Sequence, residues 1–220
     1  MDPEYVRNLE NVIKQMLTPL RNIPLNLVIQ AMCGCKIIPF NGTNPKDKEL
    51  LEKLKVVCQI AGKNVNEHGI LRPRPNEVGN DIEPYVKNAL MEVGYFGRTP
   101  ITKSGKKKTT GYPDIEFLDA FGRTNYLECK TFNIENIATT QRSFYLSPSE
   151  EFKITKDAHH IVLSFEIYID GSSGRNSIFK SKSWKILSVE NLLVDVKYEF
   201  NSDNQRLYSK DLILAEGMLS

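Results

Sequence analysis

Cysteine is scarce in this chain of 220 residues: Cys33, Cys35, Cys58 and Cys129 are too few and too unevenly spaced for a disulfide framework, and a reducing compartment accounts for them without pairing. The spacing of Cys33, Cys35, Cys58 and His68 matches no standard zinc pattern. No apolar run approaches the length needed to span a bilayer, and Met1-Asp2-Pro3-Glu4 lacks the basic-then-apolar layout of a signal peptide, so a cytoplasmic protein with no membrane association is expected. Charge of one sign is also missing. With 29 Lys and Arg against 27 Asp and Glu the net charge is +2, too small to coat nucleic acid through bulk attraction. There is no glycine loop of the phosphate-cradling type, no nucleophile-elbow serine and no zinc-finger spacing, which argues against nucleotide-driven, serine-hydrolase and zinc-finger functions and against a nucleotide cofactor.

What is present is the composition of a globular protein able to bury a sizeable core, with 40% hydrophobic and 25% charged residues. Tyr5, Leu9, Val12, Ile13 and Met16 follow a 3.6-residue period, which predicts a helix over 4–17 ending before Thr18-Pro19. A second apolar stretch runs from Leu25 to Cys33, and Asn41-Gly42-Thr43-Asn44-Pro45 is a dense turn signal. Asp47 to Ile60 then reads as a helix burying Leu50, Leu51, Leu54, Val57 and Cys58. Residues 1–70 are therefore expected to form a helical N-terminal region and 71–220 the core, joined by Arg72-Pro73-Arg74-Pro75, whose arginines could meet phosphates. A further helix capped by Asn80 or Asp81, with Pro84 in its first turn, lines up Ile82, Tyr85, Val86, Ala89, Leu90 and Val93 and sets Glu83 and Lys87 one turn apart on another face.

From Gly111 the period changes to two. Ile115 and Phe117 point one way and Asp114, Glu116 and Leu118 the other; Ala120-Phe121-Gly122-Arg123 reads as a turn; the return strand alternates Leu127 and Cys129 with Tyr126, Glu128 and Lys130. Residues 134–142 and 148–157 are weak helix or loop, 160–168 is a strong third strand, Gly171-Ser172-Ser173-Gly174 a flexible loop and 183–189 a fourth strand. A mixed α/β core follows.

The hairpin has one charged face. Phosphodiester hydrolysis needs an activated water, neutralised phosphate oxygens and a stabilised leaving oxygen, and a magnesium ion held by two nearby carboxylates supplies all three. Asp114 and Glu128 fall on the non-core side of paired strands, and Lys130 shares the face of Glu128, where an ammonium can orient water or neutralise phosphate. Glu116 and Asp119 compete for metal ligation, with a solvated position expected for Glu116. The run Lys103-Ser104-Gly105-Lys106-Lys107-Lys108, loosened by serine and glycine, offers Lys106, Lys107 and Lys108 to DNA. Gln141, Arg142, Ser143 and Tyr145 carry groups suited to base edges or phosphates, or are ordinary loop polar residues. His159-His160 adjoins an apolar strand and is read as structural.

Pro113-Asp114, followed after a thirteen-residue gap by Glu128-Cys129-Lys130, resembles the motif of the PD-(D/E)xK nuclease superfamily. The resemblance implies a restriction-endonuclease-like central mixed sheet flanked by helices, with the motif on an antiparallel hairpin. It further implies Asp114, Glu128 and Lys130 as catalytic residues, with Asp114, Glu128 and the Cys129 backbone carbonyl as metal ligands. The acidic residue such nucleases often carry on the preceding helix corresponds to Glu83, a further candidate ligand. From about Arg72 to the C-terminal region the chain looks most like a small, homodimeric type II restriction endonuclease, cutting double-stranded DNA with Mg2+, for which Mn2+ substitutes. The alternatives are another nuclease of the superfamily, such as a repair nicking enzyme or junction resolvase, and a DNA-binding module in which the hairpin is only scaffold. The N-terminal region is left for DNA recognition or dimerisation.

Overall fold

The structure, a computed structural model, describes residues 2–18, 20–108, 110–133, 135, 137–138, 143–148, 151–197, 203–207, 209 and 212–213. In chain order its elements are α1 (Pro3–Leu17), β1 (Ile23–Pro24), α2 (Leu25–Cys33), α3 (Pro45–His68), β2 (Ile70–Arg72), a 3₁₀ turn (Pro75–Glu77), α4 (Val78–Glu92), β3 (Ile115–Leu118), β4 (Thr124–Phe132), β5 (His159–Ser173), β6 (Asn176–Ser188), β7 (Leu193–Val194) and α5 (Asn204–Leu207). Two units divide the chain: Met1–Ile23 with Leu193–Ser220, and Pro24–Leu192. No helix among the described residues is long and apolar enough to cross a membrane.

In the smaller unit the side chain of Asp2 accepts the Glu4 N–H at 3.0 Å and Pro3 opens the helix one residue ahead of the expected start. The Asn22 N–H donates to Asp195 Oδ1 at 2.8 Å and the Val196 N–H to the Leu20 carbonyl at 2.8 Å, tying the two ends of this unit together.

The larger unit is built on a five-stranded mixed sheet of order β2-β6-β5-β4-β3. β4 and β5 run parallel, and the remaining pairs are antiparallel. β5 is central, and its residues His159 to Ile167 are all buried, which explains why they read as an unbroken strand signal. Leu127, Cys129, Ile161, Leu163 and Phe165 form the core face, packed against Leu50, Leu54, Val57, Cys58, Ala61 and Val65 of α3 and Ile82, Val86, Ala89 and Leu90 of α4. The sheet's helix cover and mixed strand directions agree with the restriction-endonuclease-like architecture expected above.

Several elements differ from expectation. α3 continues to His68 because Ala61 and Val65 prolong its buried stripe. It stops at Gly69, where a φ of 67° favours glycine and any Cβ would lie 2.8 Å from the Ile178 side chain. The short strand β2 lies where only a connector was expected, paired with β6 through Ile70, Leu71 and Arg72. α4 begins at Val78, not at an Asn80 or Asp81 cap, since burial of Val78 draws the chain into helix earlier; Pro84 is then interior. The Gly-Ser segment is not a free loop: Ser172 pairs with Ser177 and Ser173 with Asn176 at the tip of the β5–β6 hairpin.

One buried polar network fixes the β3–β4 turn to the start of α3. Arg123 Nη1 donates to Asp47 Oδ1 at 2.5 Å and Nε to Asp119 Oδ2 at 2.7 Å, while Asp119 Oδ1 accepts the Phe121 and Arg123 N–H groups. Burial works against the Asp47 anion, but Arg123, the Asn41 N–H and His159 hold its pKa below the usual carboxylate value. The Arg123→Ala variant strands two carboxylates whose side chains are 3% and 1% exposed, so a loss of about 3–5 kcal/mol is expected, read from the denaturant midpoint of unfolding.

Candidate active site

The antiparallel register pairs Ile115 with Leu127, so Asp114, one residue ahead of β3, falls beside Glu128 of β4. Two hydrogen bonds and a buried neighbour hold it there. The Asp114 N–H donates to the Leu127 carbonyl at 3.0 Å, its Oδ2 accepts the Cys129 N–H at 2.8 Å, and Pro113, which precedes it, is itself buried. Cys129 turns its thiol into the core, so only its main chain reaches the site. Lys130, two residues on from Glu128, returns to the same face and places Nζ 2.7 Å from Glu128 Oε1.

The second oxygen, Glu128 Oε2, is buried and has no hydrogen-bond partner among the described residues. Burial first, then the nearby Asp114 charge, pushes the Glu128 pKa up to about 7 against the opposing pull of Lys130 and Lys153. Asp114 is also raised, by burial and by Glu83, although the Cys129 N–H, Lys130 and Lys153 favour its anion. The two acids are thus incompletely compensated, and a divalent cation would relieve both at once. Among the described residues no group of three His, Cys, Asp or Glu side chains is arranged to hold a metal. That geometry is still compatible with a hard cation such as magnesium, which commonly uses one or two carboxylates and keeps several waters. The orphaned Glu128 oxygen beside Asp114 fits such an ion.

Glu83 does not join the pair directly. Its Oε1 is engaged by Lys87 at 2.5 Å, and Lys87 also donates to Thr99 at 2.9 Å, so Glu83 acts on Asp114 through its field. Glu116 is not the solvated residue expected: it is 3% exposed and paired with Arg98 at 3.1 Å and Lys156 at 3.3 Å, because Arg98 and the segment before β5 close over the outer side of β3. Asp119 is committed to Arg123, and Arg72 to Asp81 through two hydrogen bonds of 2.6 and 2.7 Å. The basic run is a folded turn and not a loose loop. Thr102 and Lys106 pair main chains, Gly105 takes a φ of 83°, and Glu151 receives both the Ser104 hydroxyl at 2.7 Å and Lys106 at 3.4 Å. Lys107 is exposed and Lys108 is half-buried. Ser143 and Tyr145 are exposed, while Gln141 and Arg142 lie outside the described residues. His160, hydrogen-bonded through Nδ1 to the Tyr112 hydroxyl at 2.6 Å, is driven by burial and by His159 to a pKa of about 3 and stays neutral, and His159 meets the Ile38 carbonyl at 3.0 Å; both are structural, as read from the sequence.

One residue at the site escaped the sequence reading. Lys153 is 2% exposed and donates from Nζ to the Pro113 carbonyl at 2.6 Å. It also lines, with Lys108, Tyr112 and Phe152, a cavity of about 270 Å³. A lysine in an irregular segment carries no local signal of burial; only the packing of that segment against the hairpin puts it there.

Comparison with known proteins agrees with this chemistry. Residues 19–211 match the family model described as the type II restriction enzyme MjaV family. The chain is 40% identical over 230 residues, covering 98% of its length and 97% of the relative, to the type II restriction enzyme MjaV of Methanocaldococcus jannaschii. No solved structure matches it at a significant level.

The raised Glu128 pKa sets a pH test in metal-free protein. Its folded value of about 7 lies above the ordinary 4.5, so the stability it contributes is fully present below about pH 4.5 and is lost as pH rises through 7. The Glu128→Gln variant removes that loss. It should unfold at higher denaturant than the wild type at pH 8, with the difference shrinking toward zero near pH 4.5; equal midpoints at pH 8 would count against a strained carboxylate.

Proposed function

The chain belongs to the type II restriction enzyme MjaV family, and from that membership as a site-specific deoxyribonuclease we propose that it hydrolyses double-stranded DNA with Asp114, Glu128 and Lys130 as its catalytic residues and magnesium as its cofactor. The observation that carries the assignment of residues is the buried Glu128 Oε2 without a hydrogen-bond partner among the described residues, beside the half-buried Asp114 and a lysine on the same face. Asp114 and Glu128 are the side chains suited to holding the ion, with the Cys129 carbonyl as a third oxygen. When bound there, a divalent cation neutralises charge on the scissile phosphate and makes a water nucleophilic. Manganese offers the same charge and a similar preference for oxygen ligands, and should substitute.

The chain's own residues supply the rest. Lys130 is 28% exposed, so its ammonium is within reach of substrate while still anchored to Glu128; it stabilises negative charge growing on the phosphate and helps orient the attacking water. Glu83, restrained by Lys87, adds negative field that draws a cation toward Asp114. Lys106, Lys107 and Lys108, with Ser143 and Tyr145, supply donors for phosphates and base edges along the DNA. A homodimer would match twofold protein symmetry to a palindromic site and cut one strand per subunit.

Digestion of a mixed-sequence plasmid with magnesium should give a discrete band pattern. A plasmid that is bound but left intact would reduce the hairpin to scaffold, and cleavage confined to junctions or mismatches would overturn a restriction specificity. The Lys130→Ala variant should cut at least about 100-fold more slowly, and cutting at the wild-type rate would remove Lys130 from the mechanism. Calcium, titrated calorimetrically in the absence of DNA, should bind the wild type and lose that binding in Asp114→Asn.

A further inference from the structure

Lys153 stands apart from the motif by 23 residues beyond Lys130, yet its ammonium is among the most thoroughly buried charges of the molecule, at 2% exposure. An ammonium taken out of water is costly unless its surroundings repay it, and lysine is rarely buried so far. Burial lowers its pKa, while Asp114, Glu128 and Glu83 all favour its charged form. The cation is therefore held by the field of the three acids at the site, but its hydrogen bond goes to a carbonyl, that of Pro113, at 2.6 Å.

That carbonyl is not an arbitrary acceptor. It belongs to the peptide unit whose N–H is contributed by Asp114. A peptide unit is planar, so holding its oxygen and its N–H at opposite ends restrains the position of the unit and of the Cα from which the next side chain leaves. Lys153 holds the oxygen; the Leu127 carbonyl holds the N–H at 3.0 Å; the Cys129 N–H then holds Asp114 Oδ2 at 2.8 Å. Two of these restraints come from β4. The third comes from the segment 151–158, which is bound to the hairpin independently through the Thr155 N–H on the Tyr126 hydroxyl at 3.1 Å and Lys156 on Glu116 at 3.3 Å.

We propose that Lys153 is a positioning residue for Asp114: its ammonium clamps the Pro113 carbonyl and so aims the Asp114 carboxylate at the metal position beside Glu128. This rests on the reading of Asp114 as a metal ligand. The hydrogen bond of Lys153 reaches the metal position through Asp114, while Glu128 feels Lys153 only as a charge at a distance; Lys130 differs in that its ammonium contacts Glu128 itself.

The test is calcium binding to the full chain, measured calorimetrically without DNA for wild type, Lys153→Met, Lys153→Gln and Asp114→Asn, each with its thermal midpoint. Lys153→Met keeps the apolar stem and removes the donor; its calcium affinity should fall roughly 10–100-fold, the usual effect of losing a group that orients a ligand, with magnesium-dependent plasmid cleavage falling in parallel. Lys153→Gln keeps an N–H donor on a stem one bond shorter and should recover part of that affinity. Calcium binding by Lys153→Met within about threefold of wild type overturns the proposal alone, leaving the metal site intact. Lys153→Gln no better than Lys153→Met shows that a donor at this position does not restore binding, and also overturns positioning. Loss of the folded state in both variants assigns Lys153 to stability, with the same consequence. Wild-type calcium binding by Asp114→Asn removes the ligand reading itself, and the proposal with it.

Discussion

The register of one hairpin sets two carboxylates side by side in a place with too little water to screen them. Ile115 opposite Leu127 brings Asp114 next to Glu128, and both acids are pushed toward protonation by burial and, for Glu128, by its neighbour. Much of the surrounding architecture can be understood as what it takes to keep them there. The core side of β4, through Leu127 and Cys129, is locked against α3 and α4, so the opposite parity of the same strand has no freedom to turn Glu128 or Lys130 elsewhere. The parallel pairing of β4 with β5 buries this part of β4 within the sheet and denies Glu128 the solvation that an edge strand would have allowed.

Charge compensation at the site is distributed and incomplete. Lys130 faces Glu128, Lys87 faces Glu83, and Lys153 faces a carbonyl rather than an acid. Each acid therefore has a cation nearby, but among the described residues Asp114 has only a backbone N–H as its direct partner and Glu128 keeps one oxygen unpaired. Such a site is poor at stabilising the empty protein and well suited to an ion with two positive charges, a division expected where binding groups are selected for function at some cost to stability.

That Asp114 and Glu128 are neighbours was legible in the sequence because it depends on strand parity, and parity survives errors in where elements begin. Asp114 and Glu128, with thirteen residues between them, needed only a short turn between two alternating segments, and the turn was marked by Gly122. Glu83 and Lys87 were legible for the same reason in helical form. Features set by packing over long sequence distances were not. Three residues, Ile70 to Arg72, carry too little pattern to announce β2, which exists because β6 offers it an edge. The exposure of Glu116 was misjudged because its partners, Arg98 and Lys156, come from segments with no regular periodicity. Lys153 was invisible on the same grounds.

The larger unit also holds a pair of buried acids, Asp47 and Asp119, and the contrast with Asp114 and Glu128 separates the pair proposed as a site from one that acts as a brace. Asp47 and Asp119 share Arg123, whose planar fork donates to both, and backbone N–H groups take up further oxygens: Asn41 for Asp47, Phe121 and Arg123 for Asp119. Asp47 consequently sits below the ordinary carboxylate pKa despite its burial. Glu128 is comparably hidden and Asp114 half-buried, but their cations are lysines that either touch a single oxygen or act from a distance, and both pKa values rise. Burial and negative charge are common to the two clusters, so neither property marks function by itself. What separates them is whether the protein alone completes the coordination of its carboxylate oxygens. At Arg123 it does, and the result is a rigid link between α3 and the hairpin turn. At Glu128 it stops one oxygen short, on the face where Lys130 remains open to a substrate.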